Sequence, residues 1–260
     1  IIFLCVLYFT VLSGLAKHQQ LLPEAVRYQE QTDDHFNLLI NVHADVNATE
    51  KEALSQKLEN FIRKLRRKQH RYKSEERLVR YIFYKVHNRY LKHYRQHTDL
   101  YELLDKGYYD CITGTAFYAM IFDALDIDYR IHELPYHVYM TVDVKDKSQD
   151  VLLESTDGMA GFVSDPQEIA SRKAVYAQEA EQEDADFYQY GFEIKEVISL
   201  QQLAALNYYN EAVIYYNQQQ LDKASTYLEQ AQQLYPAPRM EALQNLIDQV
   251  ARQQLATADR

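Results

Sequence analysis

Between Ile112 and Thr156 the apolar residues change their spacing, and that change limits the folds open to the chain. Ile112, Ala116, Phe117, Met120, Ile121 and Leu125 recur three and four apart, the period of a helix with a buried face. From Asp128 the period becomes two. Asp128–Leu134 (DYRIHEL) and His137–Val144 (HVYMTVDV) alternate apolar and polar residues on either side of Pro135-Tyr136, and Val151–Thr156 (VLLEST) follows the polar turn KDKSQD. Successive strand positions face opposite sides, so this alternation belongs to strands with one buried face. A helix followed by short, tightly connected strands predicts an antiparallel sheet packed on that helix, an α+β arrangement.

Helical patterns flank this core. Thr49–Glu52 (TEKE) reads as a capping box that opens a helix through Leu54, Leu58, Phe61 and Ile62 to Leu65. A second helix carries Leu78, Val79, Ile82, Phe83, Val86, Tyr90, Leu91 and Tyr94 on one face. His87, His93 and His97 read there as packing and solvent-interface residues; no metal-ligand spacing appears and no cofactor is implied. After an acidic run, Glu179–Gly191, that either closes over a sheet edge or simply connects, helical periodicity returns. Tyr208, Ala212 and Tyr215, then Ala224, Leu228 and Ala231, then Pro236 resemble the large, small and proline positions of a tetratricopeptide repeat over residues 205–238, with Glu211 where the pattern has Leu. A last amphipathic helix through Met240, Leu243, Leu246, Ile247 and Val250 reads as a cap. Stable arrays need about three or more repeats, so a single one must dock, either on the rest of the chain or on a partner protein held in its groove.

With 260 residues, 47% hydrophobic and 25% charged, the chain supports one sizeable core and a smaller appended one. Its net charge of -10 argues against a nucleic-acid partner. Positive charge is local: residues 63–95 are basic with only Glu75 and Glu76 opposing, residues 143–193 are mostly acidic, and both read as solvated faces. The start, IIFLCVLYFTVLSGLA, is apolar over residues 1–16 and ends in small residues before Lys17. It is shorter than the roughly 20 residues of a membrane span and reads as a secretory signal, which makes the protein exported, periplasmic or extracellular. An uncleaved membrane anchor is the alternative. Three segments follow: residues 1–16 as signal, 17–192 as the main domain with its core at 78–160, and 193–260 as the helical segment.

Removing residues 1–16 removes Cys5 and leaves Cys111 as the sole thiol, so no disulfide framework holds the fold. Asp110 is placed to cap the helix, with Cys111 in its first turn, where the positive end of the helix dipole and free backbone N–H groups favour a thiolate. His137 starts a strand and Glu154 lies near the end of the next. In chain order these are a nucleophile, a base and an orienting acid.

The segment from Tyr109 to Gly158 resembles the core of the transglutaminase-like superfamily. The likeness rests on Cys111 with Ala116, on Leu125-Asp126-Ile127 leading into Tyr129-Arg130, on His137-Val138-Tyr139 and on Glu154-Ser155-Thr156. It implies a papain-like α+β fold with a Cys111, His137, Glu154 triad, Glu154 standing where the family usually has Asp and Asp157 serving as fallback acid. The chain contains no Trp, the residue that helps stabilise the oxyanion in transglutaminases. Cys111 N–H supplies one oxyanion donor, and Tyr108, Tyr109 and Asn88 are candidates for the second. The implied reaction is acyl transfer through a Cys111 thioester ending in hydrolysis of a peptide or amide bond. The alternative is a non-catalytic scaffold that uses the repeat to assemble an envelope or secretion complex. The partners expected are a peptide or protein substrate and a protein bound through the repeat. No nucleic acid is expected, and a membrane only through an uncleaved N-terminal segment.

Overall fold

The computed structural model describes residues 34–145, 150–187 and 196–258, with side chains at all of these except 179–187, 196, 257 and 258. The leader expected over residues 1–16 lies outside the described residues. Among the described residues no helix is long and apolar enough to cross a membrane.

Residues 34–40 are helical and send Phe36, Leu39 and Ile40 into the core. Helix α1 (Ala48–Gln69) is capped by Asn47, whose side chain accepts the Glu50 N–H while Glu50 returns to the Asn47 N–H. The capping box thus sits two residues ahead of the expected one at Thr49–Glu52. Asn caps at least as well as Thr and has its own Glu at the third helical position. Helix α2 (Glu75–Arg89) is capped by Ser74 and buries Leu78, Val79, Ile82, Phe83 and Val86. It stops short of Tyr94. The Gly107 carbonyl accepts the N–H groups of Lys92 and His93, which pulls the chain out of the helix into strand β1 (His93–Tyr94). Helix α3 (Leu100–Lys106) ends on Gly107 at φ 79°, a conformation glycine adopts without strain. Strand β2 (Tyr108–Tyr109) then pairs in parallel with β1, Tyr94 opposite Tyr109.

Helix α4 (Cys111–Leu125) is buried on nearly all sides, not on one face, from Thr113 to Leu125, Asp123 alone being half-buried. On one side α2 covers it, and the Tyr118 hydroxyl donates to the Phe83 carbonyl at 2.9 Å. On another lies an antiparallel five-stranded sheet of order β6-β5-β4-β3-β7. Its strands are β3 (Tyr129–Glu133), β4 (Val138–Val142), β5 (Val151–Leu153), β6 (Phe162–Val163) and β7 (Glu196–Ile198). Ile131, Val138, Met140, Val142, Val151 and Leu153 join the core that holds α4. The opposite face is not open to solvent. Helix α5 (Pro166–Phe187) brings Ile169 and Tyr176 against Tyr139, Leu152 and Val163. The acidic run from Glu179 is therefore helical through Phe187 and no plain linker.

Helices α6 (Leu200–Asn217) and α7 (Leu221–Leu234) form a hairpin, and α8 (Pro238–Ala258) follows. Tyr208, Ala212, Ala224, Leu228 and Ala231 are buried in the same core as α4, as are Met240, Leu243 and Ile247 of α8; Leu246, placed on that face by its spacing, is exposed. Two tyrosines fasten the hairpin to the start of the described chain: Tyr208 donates to the Leu38 carbonyl and Tyr227 to the Val42 carbonyl, both at 3.1 Å. At the sheet, Arg239 sits 2.7 Å from Glu133, which is 1% exposed, and the Tyr235 hydroxyl donates to the other Glu133 oxygen at 3.1 Å.

Candidate active site

Cys111 owes its position to a tight polar knot at the start of α4. Asp110 Oδ1 accepts from both the backbone N–H and the hydroxyl of Thr113, each at 2.8 Å, and its Oδ2 accepts the Thr98 N–H at 3.1 Å. Thr113 answers by accepting the Asp110 N–H at 2.9 Å. This reciprocal cap fixes where the helix begins, and Cys111 is its first residue, half-buried.

The sheet supplies the other two groups. His137 immediately precedes β4 and Glu154 immediately follows β5, so the pairing of these strands sets their ends side by side. His137 Nε2 donates to Glu154 Oε2 at 2.5 Å. Cys111 lies close enough to the same imidazole to shift its protonation. Helix and sheet meet closely here. A Cβ on Gly114 would stand 3.0 Å from Ser155 Cβ, and the Ser155 hydroxyl donates to the Cys111 carbonyl at 3.4 Å. Only glycine lets α4 come this near to the strand that carries the acid.

Glu154 is 5% exposed and its acceptor positions are filled. Oε1 takes the Thr156 N–H at 3.1 Å and the Thr156 hydroxyl at 2.7 Å, while Oε2 takes the Tyr176 hydroxyl at 3.0 Å besides His137. Burial pushes this carboxyl up, but the hydrogen bonds and charge of His137 with those of Thr156 outweigh it and hold Glu154 below the usual range. Burial likewise pushes His137 down; the hydrogen bonds and charges of Cys111 and Glu154 win and bring it up to about 10. Both shifts favour the charged pair, with the proton on His137 and the negative charge on Glu154.

Asp157 does not touch His137. Its Oδ1 closes the turn by accepting the N–H groups of Met159 and Ala160, at 3.1 and 2.8 Å, and its Oδ2 faces Arg172 at 3.6 Å. Of the candidate oxyanion donors, Asn88 lies out on α2, and Tyr108 packs its ring under the Arg95 guanidinium at 4.3 Å. Tyr109 is buried. The tyrosine that feels the nucleophile is Tyr94, 57% exposed beside the Tyr109 ring. Burial, then the charges of Cys111 and Asp110, raise its hydroxyl above the ordinary value, against a hydrogen bond with Gln96.

Two of these residues, Tyr94 and Tyr176, escape a reading of the sequence. Tyr94 comes near the start of α4 through a strand pair of two residues, and Tyr176 reaches the acid through a helix packed on the far sheet face. With 23 tyrosines in the chain, residue type gives no signal. The chain matches no family model, no curated protein and no solved structure. Its chemistry is thus read from the geometry alone.

Proposed function

We propose that the protein is a cysteine enzyme of transglutaminase-like type, with a papain-like core and a C-terminal tetratricopeptide-like segment, that transfers acyl groups through a Cys111 thioester and most often hands them to water. The observation that carries this reading is the bond of the His137 imidazole to a buried Glu154 that accepts from it at 2.5 Å, with Cys111 near enough to raise the imidazole pKa. A cation beside a cysteine favours the thiolate, the form that attacks a carbonyl carbon. Sulfur adds to the carbonyl, the imidazolium gives its proton to the departing amine, and the same imidazole then takes a proton from the water that cleaves the thioester. Cys111 N–H at the helix start provides one donor for the oxyanion of the tetrahedral intermediate.

The test is acylation. Incubation with p-nitrophenyl acetate should release p-nitrophenol in a burst and leave an acetyl group on Cys111, seen by mass spectrometry of the tryptic peptide. Both signals should vanish in His137→Ala. A folded protein whose Cys111 stays unacylated would leave the scaffold reading in possession.

A further inference from the structure

The basic stretch noted in the sequence does not spread evenly over the surface. On the exposed side of α2, Arg77, Arg80, Tyr81, Tyr84, Lys85 and Asn88 line a groove of about 370 Å³. Rings and aliphatic stems form its floor and cations its rim. The Arg80 guanidinium lies 4.7 Å over the Phe162 ring and 3.2 Å from Glu76, while Arg77 and Lys85 have no ion pair among the described residues. The loop after Glu154 lies next to the groove. The Tyr84 hydroxyl donates to the Met159 carbonyl at 3.4 Å, and the Met159 side chain stands 90% exposed beside it.

We propose that this groove is a docking site for an extended acidic peptide bearing apolar side chains, supplied by a partner or substrate protein. Charge and length argue for it together. Two cations without anions border an apolar floor, so a ligand that brings carboxylates to the rim and an aromatic or aliphatic group to Tyr81 and Tyr84 satisfies both. From Arg77 to Asn88 the helix rises about 16 Å, at ~1.5 Å per residue, which is the reach of about five extended residues. A nucleic acid fits less well. It brings phosphates to the rim but no apolar side chain to the floor at Tyr81 and Tyr84. The site does not depend on the reaction at Cys111, because the groove and the nucleophile stand on different elements.

The experiment is fluorescence anisotropy of the full chain titrated against a fluorescein-labelled octapeptide of alternating Glu and Phe. Its Lys-for-Glu counterpart and a labelled oligothymidylate run in parallel. The acidic peptide should bind, its lysine counterpart should not, and Arg77→Glu with Lys85→Glu should weaken binding by about tenfold or more. Both positions are exposed, and far-UV circular dichroism shows whether the variant keeps its fold. Tyr84→Ser should also weaken binding, and high salt should weaken it in the unaltered protein without any substitution. Binding of the oligothymidylate at least as tightly as the acidic peptide overturns the proposal in favour of nucleic acid. So does an acidic peptide that fails to bind, or whose binding ignores both the charge reversal and salt.

Discussion

His137 donates its Nε2–H to Glu154 Oε2 across 2.5 Å, and that bond fixes how the imidazole is turned. An imidazole held at one end cannot turn its other end away without breaking the bond to a carboxylate that is 5% exposed. Orientation and charge come from one contact.

His137→Ala should slow alkylation of Cys111 by iodoacetamide at pH 6–7 by at least about tenfold, because the sulfur loses the neighbouring base proposed to activate it. Glu154→Gln should slow it less, since an amide oxygen still accepts from Nε2 and the sulfur is untouched. The measurement is the second-order labelling rate from pH 5 to 9. Equal rates in all three proteins would separate the triad from the reactivity of the thiol.

Tyr176→Phe isolates a residue outside the triad. Its hydroxyl donates at 3.0 Å to the same oxygen that holds His137, and its ring lies 5.5 Å from the imidazole. A hydrogen bond to the charged form favours that form, so removing it should raise the Glu154 pKa. The acid limb of the acylation profile should move to higher pH while the rate on the plateau falls by only a few-fold. An unmoved acid limb with a collapsed plateau would make Tyr176 a packing residue and nothing more.

How much of this was legible in the residues follows from distance along the chain. The α4 helix and strands β3 to β5 declare themselves because their periodicity is continuous, and Cys111, His137 and Glu154 fall at ends that the pattern marks. Strand β7 has three residues and pairs with β3 across more than sixty positions, so no local spacing announces it. Helix α5 on the outer sheet face covers Tyr139, which is buried, as is Thr141, where alternation predicts exposure. Thr141 and His132 make the pairing polar there, at 2.8 Å.

Gly161→Ala should damage the turn behind the acid. A Cβ at that position would stand 2.3 Å from the carbonyl oxygens of both Asp157 and Glu154, and those are backbone atoms that cannot step aside cheaply. The Gly161 N–H donates to the Asp157 carbonyl and its own carbonyl accepts the Glu154 N–H, both at 2.8 Å, so the clash reaches the triad. A loss of about 2–3 kcal/mol in urea unfolding is expected, with a larger relative loss of acylation. Undiminished stability would mean that the turn adopts another path.

Arg239→Ala should cost about 3 kcal/mol, because it removes the cation 2.7 Å from a Glu133 that is 1% exposed. Adding Glu133→Gln should return part of that loss, since a neutral amide is cheaper to keep buried than a carboxylate without Arg239. Chemical denaturation of the two variants distinguishes this from a loss of packing by the arginine stem, for which the second substitution would bring no recovery.

His87 sets the response to acid. Its ring lies 4.7 Å from Phe83 and beside Tyr109 and Tyr118, and its Nε2 is buried without a hydrogen-bond partner. Burial brings the imidazole down to about 4, against the pull of Asp157 and Glu154. The folded protein therefore holds His87 neutral at a pH where the unfolded chain, near 6.5, already binds the proton. Stability linked to this group is complete above about 6.5 and is lost as pH falls toward 4, by up to about 3 kcal/mol. His87→Phe keeps a ring against Phe83 and cannot take the proton. Urea midpoints of the two proteins should run parallel from pH 9 to 7 and then diverge below 6.5, the unaltered protein falling faster. Other carboxylates titrate over the same range, but they are common to both curves and cancel in the difference. A constant gap down to pH 4 would show that His87 takes its proton without leaving the fold.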